Sequence, residues 1–139
     1  MRGLYQAREK ITRVLTDAGI NMATRGQADD FNQQKKNFFP AARVDWGSSE
    51  VSNEAVTISM NIIILDTIED DLGNEENVLN TTLAITARLV AVLQEAEADS
   101  MFSLDTNPTA DYLFEQGEQN LAGWGMVLPL TIVNQSHNE

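Results

Sequence analysis

The only histidine of the chain, His137, stands in a polar tail that runs from Asn134 to Glu139. A catalytic base must be held in place relative to the proton it takes. Such a tail provides no hold, so no catalytic residue is assigned. There is no cysteine, which removes thiolate nucleophiles, disulfides and cysteine-based zinc or iron–sulfur sites. Neither a Gly-x-Ser-x-Gly elbow nor a glycine-rich phosphate loop closing on Lys-Ser/Thr occurs. What remains is acidic: Asp66, Glu69, Asp70, Asp71, Glu75 and Glu76. Their spacing does not fit a calcium loop. A two-metal hydrolytic site draws carboxylates from separate elements, often beside a lysine, and no lysine follows Lys36. Two readings of this stretch stay open. One is a solvated turn whose acids face the positive end of a following helix. The other is a weak divalent-ion site, at a subunit boundary or in a cellular binding module. No metal or cofactor is assigned. Trp46 and Trp124 each lie in an alternating apolar stretch, where aromatics fill a core or an interface.

Charge is distributed unevenly along the chain. Eight of the nine basic residues precede residue 44, beside four acids; the rest carries one base, Arg88, and seventeen acids. A net charge of −12 disfavours coating of nucleic acid or anionic lipid. It does suit a wall past which DNA slides without sticking. A basic region and an acidic remainder on one chain can dock head to tail on copies of the same chain. No apolar run approaches the roughly 18–20 residues a membrane helix needs, and no secretory signal is visible at the start.

The elements that would carry these residues follow from periodicity. Leu4, Ala7, Ile11, Val14, Leu15 and Ala18 recur at three- and four-residue steps, which predicts a helix over Leu4 to Ala18. Gly19 stops it, with Ile20 placed to fold back on the last turn. A polar loop or arm occupies 19–37; within it Phe31 is a candidate anchor and Lys35 and Lys36 candidate charge contacts. Phe38 to Trp46 reads as a strand with Pro40 near its start, and Gly47 to Glu54 as a loop. From Val56 to Leu65 apolar residues alternate with Thr57, Ser59 and Asn61, a half-buried strand. Ile63 and Leu65 break the polar face, so its far end is expected to be covered on both sides. After the acidic turn, Asn74 is the expected N-cap of a helix over about Glu75 to Ala98. Val78, Leu79, Leu83, Ile85, Leu89, Val90, Val92 and Leu93 form its apolar half, opposite Ala84, Ala87, Ala91 and Arg88. Arg88 has no acid three or four positions away, so any ion pair must be tertiary or between subunits. Ala110 to Glu115 and the alternating run Ala122, Trp124, Met126, Leu128, Leu130 and Ile132 give two final strands joined by a hairpin at Gly117 to Asn120. Gly123 and Gly125 suggest a bulge or a close backbone approach, and Pro129 an edge or an outward-pointing position.

Helix, strand, strand, helix, strand, strand predicts an α+β domain spanning 1–139: a four-stranded, mostly antiparallel sheet with both helices on one face. The other face, with Thr57, Ser59 and the glycines, is partly polar and open to an interface.

This order, the segment Phe39-Pro40-Ala41-Ala42-Arg43-Val44, the strand Val56–Leu65 and the closing run Leu121-Ala122-Gly123-Trp124-Gly125-Met126-Val127-Leu128 resemble the tail terminator (tail-completion) proteins of long-tailed bacteriophages. The resemblance is one of pattern over most of the chain, without a catalytic motif. It implies a structural virion protein rather than an enzyme. Such a protein forms a ring, commonly a homo-hexamer, that caps the tail tube protein and meets a head-side connector or neck protein. DNA passes through the channel without specific binding. Location would be the virion tail or neck, with host cytoplasm as the place of assembly. In that setting Arg8, Lys10, Arg13, Lys35, Lys36 and Arg88 are candidate subunit-interface residues. Glu69, Asp70, Asp71, Glu115 and Glu118 are candidate channel-lining acids. A head–tail stopper of the same assembly is the neighbouring alternative.

Overall fold

The computed structural model describes residues 2–22, 39–69, 71–95, 101–116 and 120–133, with Arg2, Met22 and Val133 described by backbone alone. In chain order the elements are α1 (Arg2–Asp17), β1 (Asn21–Met22), β2 (Ala41–Val51), β3 (Ala55–Ile68), α2 (Glu75–Gln94), β4 (Phe102–Ser103), β5 (Ala110–Glu115) and β6 (Asn120–Val133). The α+β architecture read from the sequence is the one adopted. Four long strands lie in the order β2-β3-β6-β5, every neighbour antiparallel. Two strands of two residues each are added: β1 pairs in parallel with the start of β2, and β4 with the end of β6. Both are too short to leave a period in the sequence.

Alternation decides which face each residue takes. On β3, Ile58, Met60, Ile62 and Ile64 point toward the helices; Val44, Met126, Leu128, Leu130 and Ile132 extend the same layer on neighbouring strands. Ala7, Ile11 and Leu15 of α1 and Leu89 and Leu93 of α2 close it from above, and most of these side chains are fully buried. Removing a leucine-sized side chain from water contributes about 2–3 kcal/mol, so this layer supplies most of the drive to fold. α1 ends as expected: Gly19 adopts φ +87, its N–H reaches Thr16 O at 3.0 Å, and the Ile20 N–H reaches Leu15 O at 3.0 Å with Ile20 buried. The far end of β3 is covered on its second face too, by Phe39, Ala41 and Leu121 around Leu65.

Three expectations are corrected, and a fourth is narrowed. The strand expected over Phe38 to Trp46 instead runs Ala41–Val51 and continues through the stretch expected as a loop. A register shift between Trp46 and Ser49 absorbs an extra residue, and the turn shrinks to Ser52–Glu54, where Ser52 Oγ accepts from the Ala55 N–H at 3.1 Å. On α2, Leu83 is 40% exposed, whereas Thr82 and Thr86 are buried. Their hydroxyls donate to the carbonyls of Val78 and Thr82 at 2.7 and 2.8 Å, which removes the cost of burying them. Asn74 sits at the N-cap but does not cap the helix through its side chain; its Oδ1 accepts instead from the Glu69 N–H at 2.6 Å. Of the two positions expected for Pro129, the edge is excluded, since it lies on an interior strand opposite Ser59. It is tolerated because the outer side of β6 is unpaired there, between the stretch held by β5 and that held by β4.

Candidate functional site

Among the described residues no three histidine, cysteine, aspartate or glutamate side chains converge as metal ligands. Within the acidic turn, Asp71 Oδ1 accepts from the Gly73 N–H at 2.9 Å. Leu72 takes φ +62, with its N–H on Glu69 O at 2.8 Å. Glu69 and Asp71 are exposed; Asp70 lies outside the described residues. The Asp66 carboxyl is different. Burial pushes it above the ordinary value of 3.8, against the lowering effect of hydrogen bonds from Thr67. The folded state therefore holds the proton more tightly than the unfolded chain. That contribution to stability is complete below 3.8 and lost as pH rises through the raised value. Asp66→Asn is expected to raise the melting temperature at pH 7, with the gain shrinking toward pH 4; an equal gain at both pH values would refute the assignment.

The candidate interface residues fall at two places. Arg8, Lys10 and Arg13 all lie on α1. The Arg8 guanidinium carbon stands 6.0 Å from the centre of the Trp46 ring on β2, within range of a cation–π attraction. Its Nη1 is buried and has no hydrogen-bond partner among the described residues. Tyr5, Arg8, Glu9, Thr12, Arg13 and Thr16 line a shallow groove of about 370 Å³ along this side of α1. Arg13 pairs with Glu9 at 3.5 Å on the exposed helix surface, an arrangement worth little by itself. Lys10 is half-buried. Arg88 lies elsewhere, on the exposed side of α2, and has no ion pair among the described residues. Lys35 and Lys36 lie outside the described residues.

Sequence reasoning missed Arg43. It sits on the helix-free face of β2, half-buried, and its Nε donates to Asp45 Oδ2 at 2.8 Å. The i,i+2 spacing that places two strand residues on one face was the available signal.

At the other end of the sheet the exposed groups are acidic and aromatic. Asp111 lies on the helix-free face of β5 and Glu115 beyond it, half-buried; Glu118 lies outside the described residues. Tyr112 and Phe114 point to the helix side but project past α2, 50% and 40% exposed. The Tyr112 hydroxyl donates to Glu75 Oε2 at 2.9 Å, and that bond raises its pKa above the usual phenol value. Its ring meets Trp124 edge-on, 6.4 Å between centres, and Trp124 Nε1 donates to Leu79 O at 3.1 Å. Trp124 thus pins the first turns of α2 to the sheet, while Tyr112 presents a hydroxyl and a carboxylate at the rim.

On the helix-free face, Val127 is 52% exposed and Ile63 and Leu113 are partly buried. No described helix is long and apolar enough to cross a membrane. Comparison with protein-family models and with curated proteins finds no match for this chain.

Proposed function

We infer that the chain is a structural virion protein, a tail terminator whose copies form a ring on the end of a phage tail tube and join it to the head-side connector. The observation that supports this reading is the polarity of the sheet. Arg8, Lys10 and Arg13 lie on α1, with Arg8 over Trp46 of β2; Asp111 and the exposed Tyr112 and Phe114 lie on β5, with Glu75 bonded to Tyr112. Unlike patches at opposite ends of one subunit make heterologous contacts, and these close into rings when the rotation fits. Carboxylates left over after such contacts would face a channel and keep DNA mobile. In this reading the protein is not an enzyme and resides in the tail or neck.

Native mass spectrometry with negative-stain imaging, over a salt and Mg²⁺ series and with purified tail tubes added, tests it. Six-fold rings are expected that loosen as salt screens unlike charges and that arrest tube growth. Monomers in every condition, with tubes that continue to lengthen, would overturn the reading. Rings found on the connector side of the neck would favour a head–tail stopper.

A further inference from the structure

We propose that the two ends of the sheet bind one another between copies: the outer side of β5 in one copy adds as an antiparallel strand to the outer side of β2, from Arg43 onward, in the next. This rests on the ring reading above and supplies its contact. Three observations carry it.

The first is availability. Among the described residues, β2 is paired on its outer side only at Ala41 and Ala42, by β1, and β5 is paired only with β6. Unpaired strand edges expose rows of backbone donors and acceptors that take up another strand unless blocked. Neither edge carries a lysine, and no proline interrupts it: β2 reads Ala-Ala-Arg-Val-Asp-Trp-Gly-Ser-Ser-Glu-Val and β5 Ala-Asp-Tyr-Leu-Phe-Glu.

The second is direction. β2, β3, β6 and β5 alternate, so β5 runs opposite to β2. A ring rotation about an axis running along the strands keeps their directions, whereas a two-fold axis across them would pair like edges. β5 therefore meets the next β2 antiparallel, with the same ladder as inside each sheet.

The third is side-chain fit. With Tyr112 opposite Trp46, Phe114 falls opposite Val44 and Leu113 opposite Asp45, clear of β1. Tyr112 and Phe114, which point to the helix side, then enter the groove beside Trp46 and Arg8. The exposed aromatics lose water there. The Tyr112 hydroxyl oxygen becomes an acceptor for the groove-lining side of the Arg8 guanidinium, while that hydroxyl keeps donating to Glu75 of its own copy. The Glu75 carboxylate comes to face Arg8 and Arg13, so the charges are complementary.

The absence of cysteine allows a direct test. Asp45→Cys and Leu113→Cys proteins are purified separately, mixed, assembled and mildly oxidised. Residues directly opposite in a ladder have Cβ atoms about 4.5–5.5 Å apart, within disulfide reach after small shifts. The proposal expects cross-linked dimers only in the mixture, and a ladder up to the closed ring when one chain carries both substitutions. Asp45→Cys cross-linking to itself would overturn it in favour of two-fold pairing of β2 edges. Rings that form on tubes without any mixed cross-link would also overturn it and leave the ring reading standing; failure to form rings at all would sink both. As a check independent of Leu113 packing, Tyr112→Ala should weaken assembly about tenfold or more, with unchanged far-ultraviolet circular dichroism. Undiminished assembly of that variant counts against the proposal.

Discussion

Gly123→Ala is expected to cost about 3 kcal/mol of folding stability, near the upper end for a single substitution. An alanine Cβ at this position would overlap the carbonyl oxygen of Ile64 and lie 2.9 Å from its carbon. Both are backbone atoms of β3, so no side chain can swing aside. The strand pair itself must separate, at the point where Gly123 is paired with Leu65 and Ile64 with Trp124. Ladder bonds would lengthen, and the buried patch of Phe39, Ala41, Leu65 and Leu121 would loosen with them. Gly125→Ala is the matched control. Its Cβ meets only the end of the Leu113 side chain closer than 3.4 Å, at 2.9 Å, which can rotate. Thermal melting and urea titration of the two variants check this. Similar losses for both would mean that the close approach of the β3 backbone at Gly123 is not what excludes a side chain there.

The second large effect separates two neighbouring residues of α2. Leu89 is fully buried against the sheet, whereas Arg88 is exposed. Leu89→Ala is expected to remove about 3 kcal/mol, from lost transfer energy and a residual cavity between α2 and strands β3 and β6. Arg88→Ala should leave melting within about 0.5 kcal/mol of the parent, as exposed substitutions do. If Arg88 meets acid on another subunit, that variant will form fewer rings at low salt with an unchanged melting curve. A large fall in its melting temperature with assembly intact would place its partner inside the subunit.

Much of this fold was legible in residue types alone. β3 and β6 keep a period of two over their length, so the helix-facing layer is readable from the alternation itself. Gly19 followed by Ile20 marked the end of α1 because few other pairs satisfy a left-handed residue and a buried fold-back together. What escaped had physical reasons. Gly47-Ser48-Ser49-Glu50 has loop composition, yet pairing with β3 and one extra residue at the register shift hold it in the sheet. Thr82 and Thr86 are polar by type but satisfied by their own helix, and Leu83 is apolar by type but on the wrong angle of the wheel. The candidate interface was legible only as a charge asymmetry. Arg8 could be placed on a helix face, but its position over Trp46 depends on how α1 crosses the sheet, which no local pattern encodes. Tyr112 and Phe114 read as one face of a strand; their exposure follows from where α2 begins.

The pairing of β3 with β6 also bears on how the chain reaches its native state. That ladder is unbroken from Ala55 opposite Val133 to Ile68 opposite Asn120, and its two strands lie on either side of α2 in the chain. The β2–β3 and β5–β6 hairpins close short loops and can form early. The seam between them cannot form until a long stretch of chain has been looped out, and such non-local pairings slow folding. Each hairpin waiting for the other would expose half of an apolar layer. During that interval the nascent chain would depend on dilution or a chaperone to avoid joining the wrong neighbour, and the same edges that suit a ring would then be its main liability.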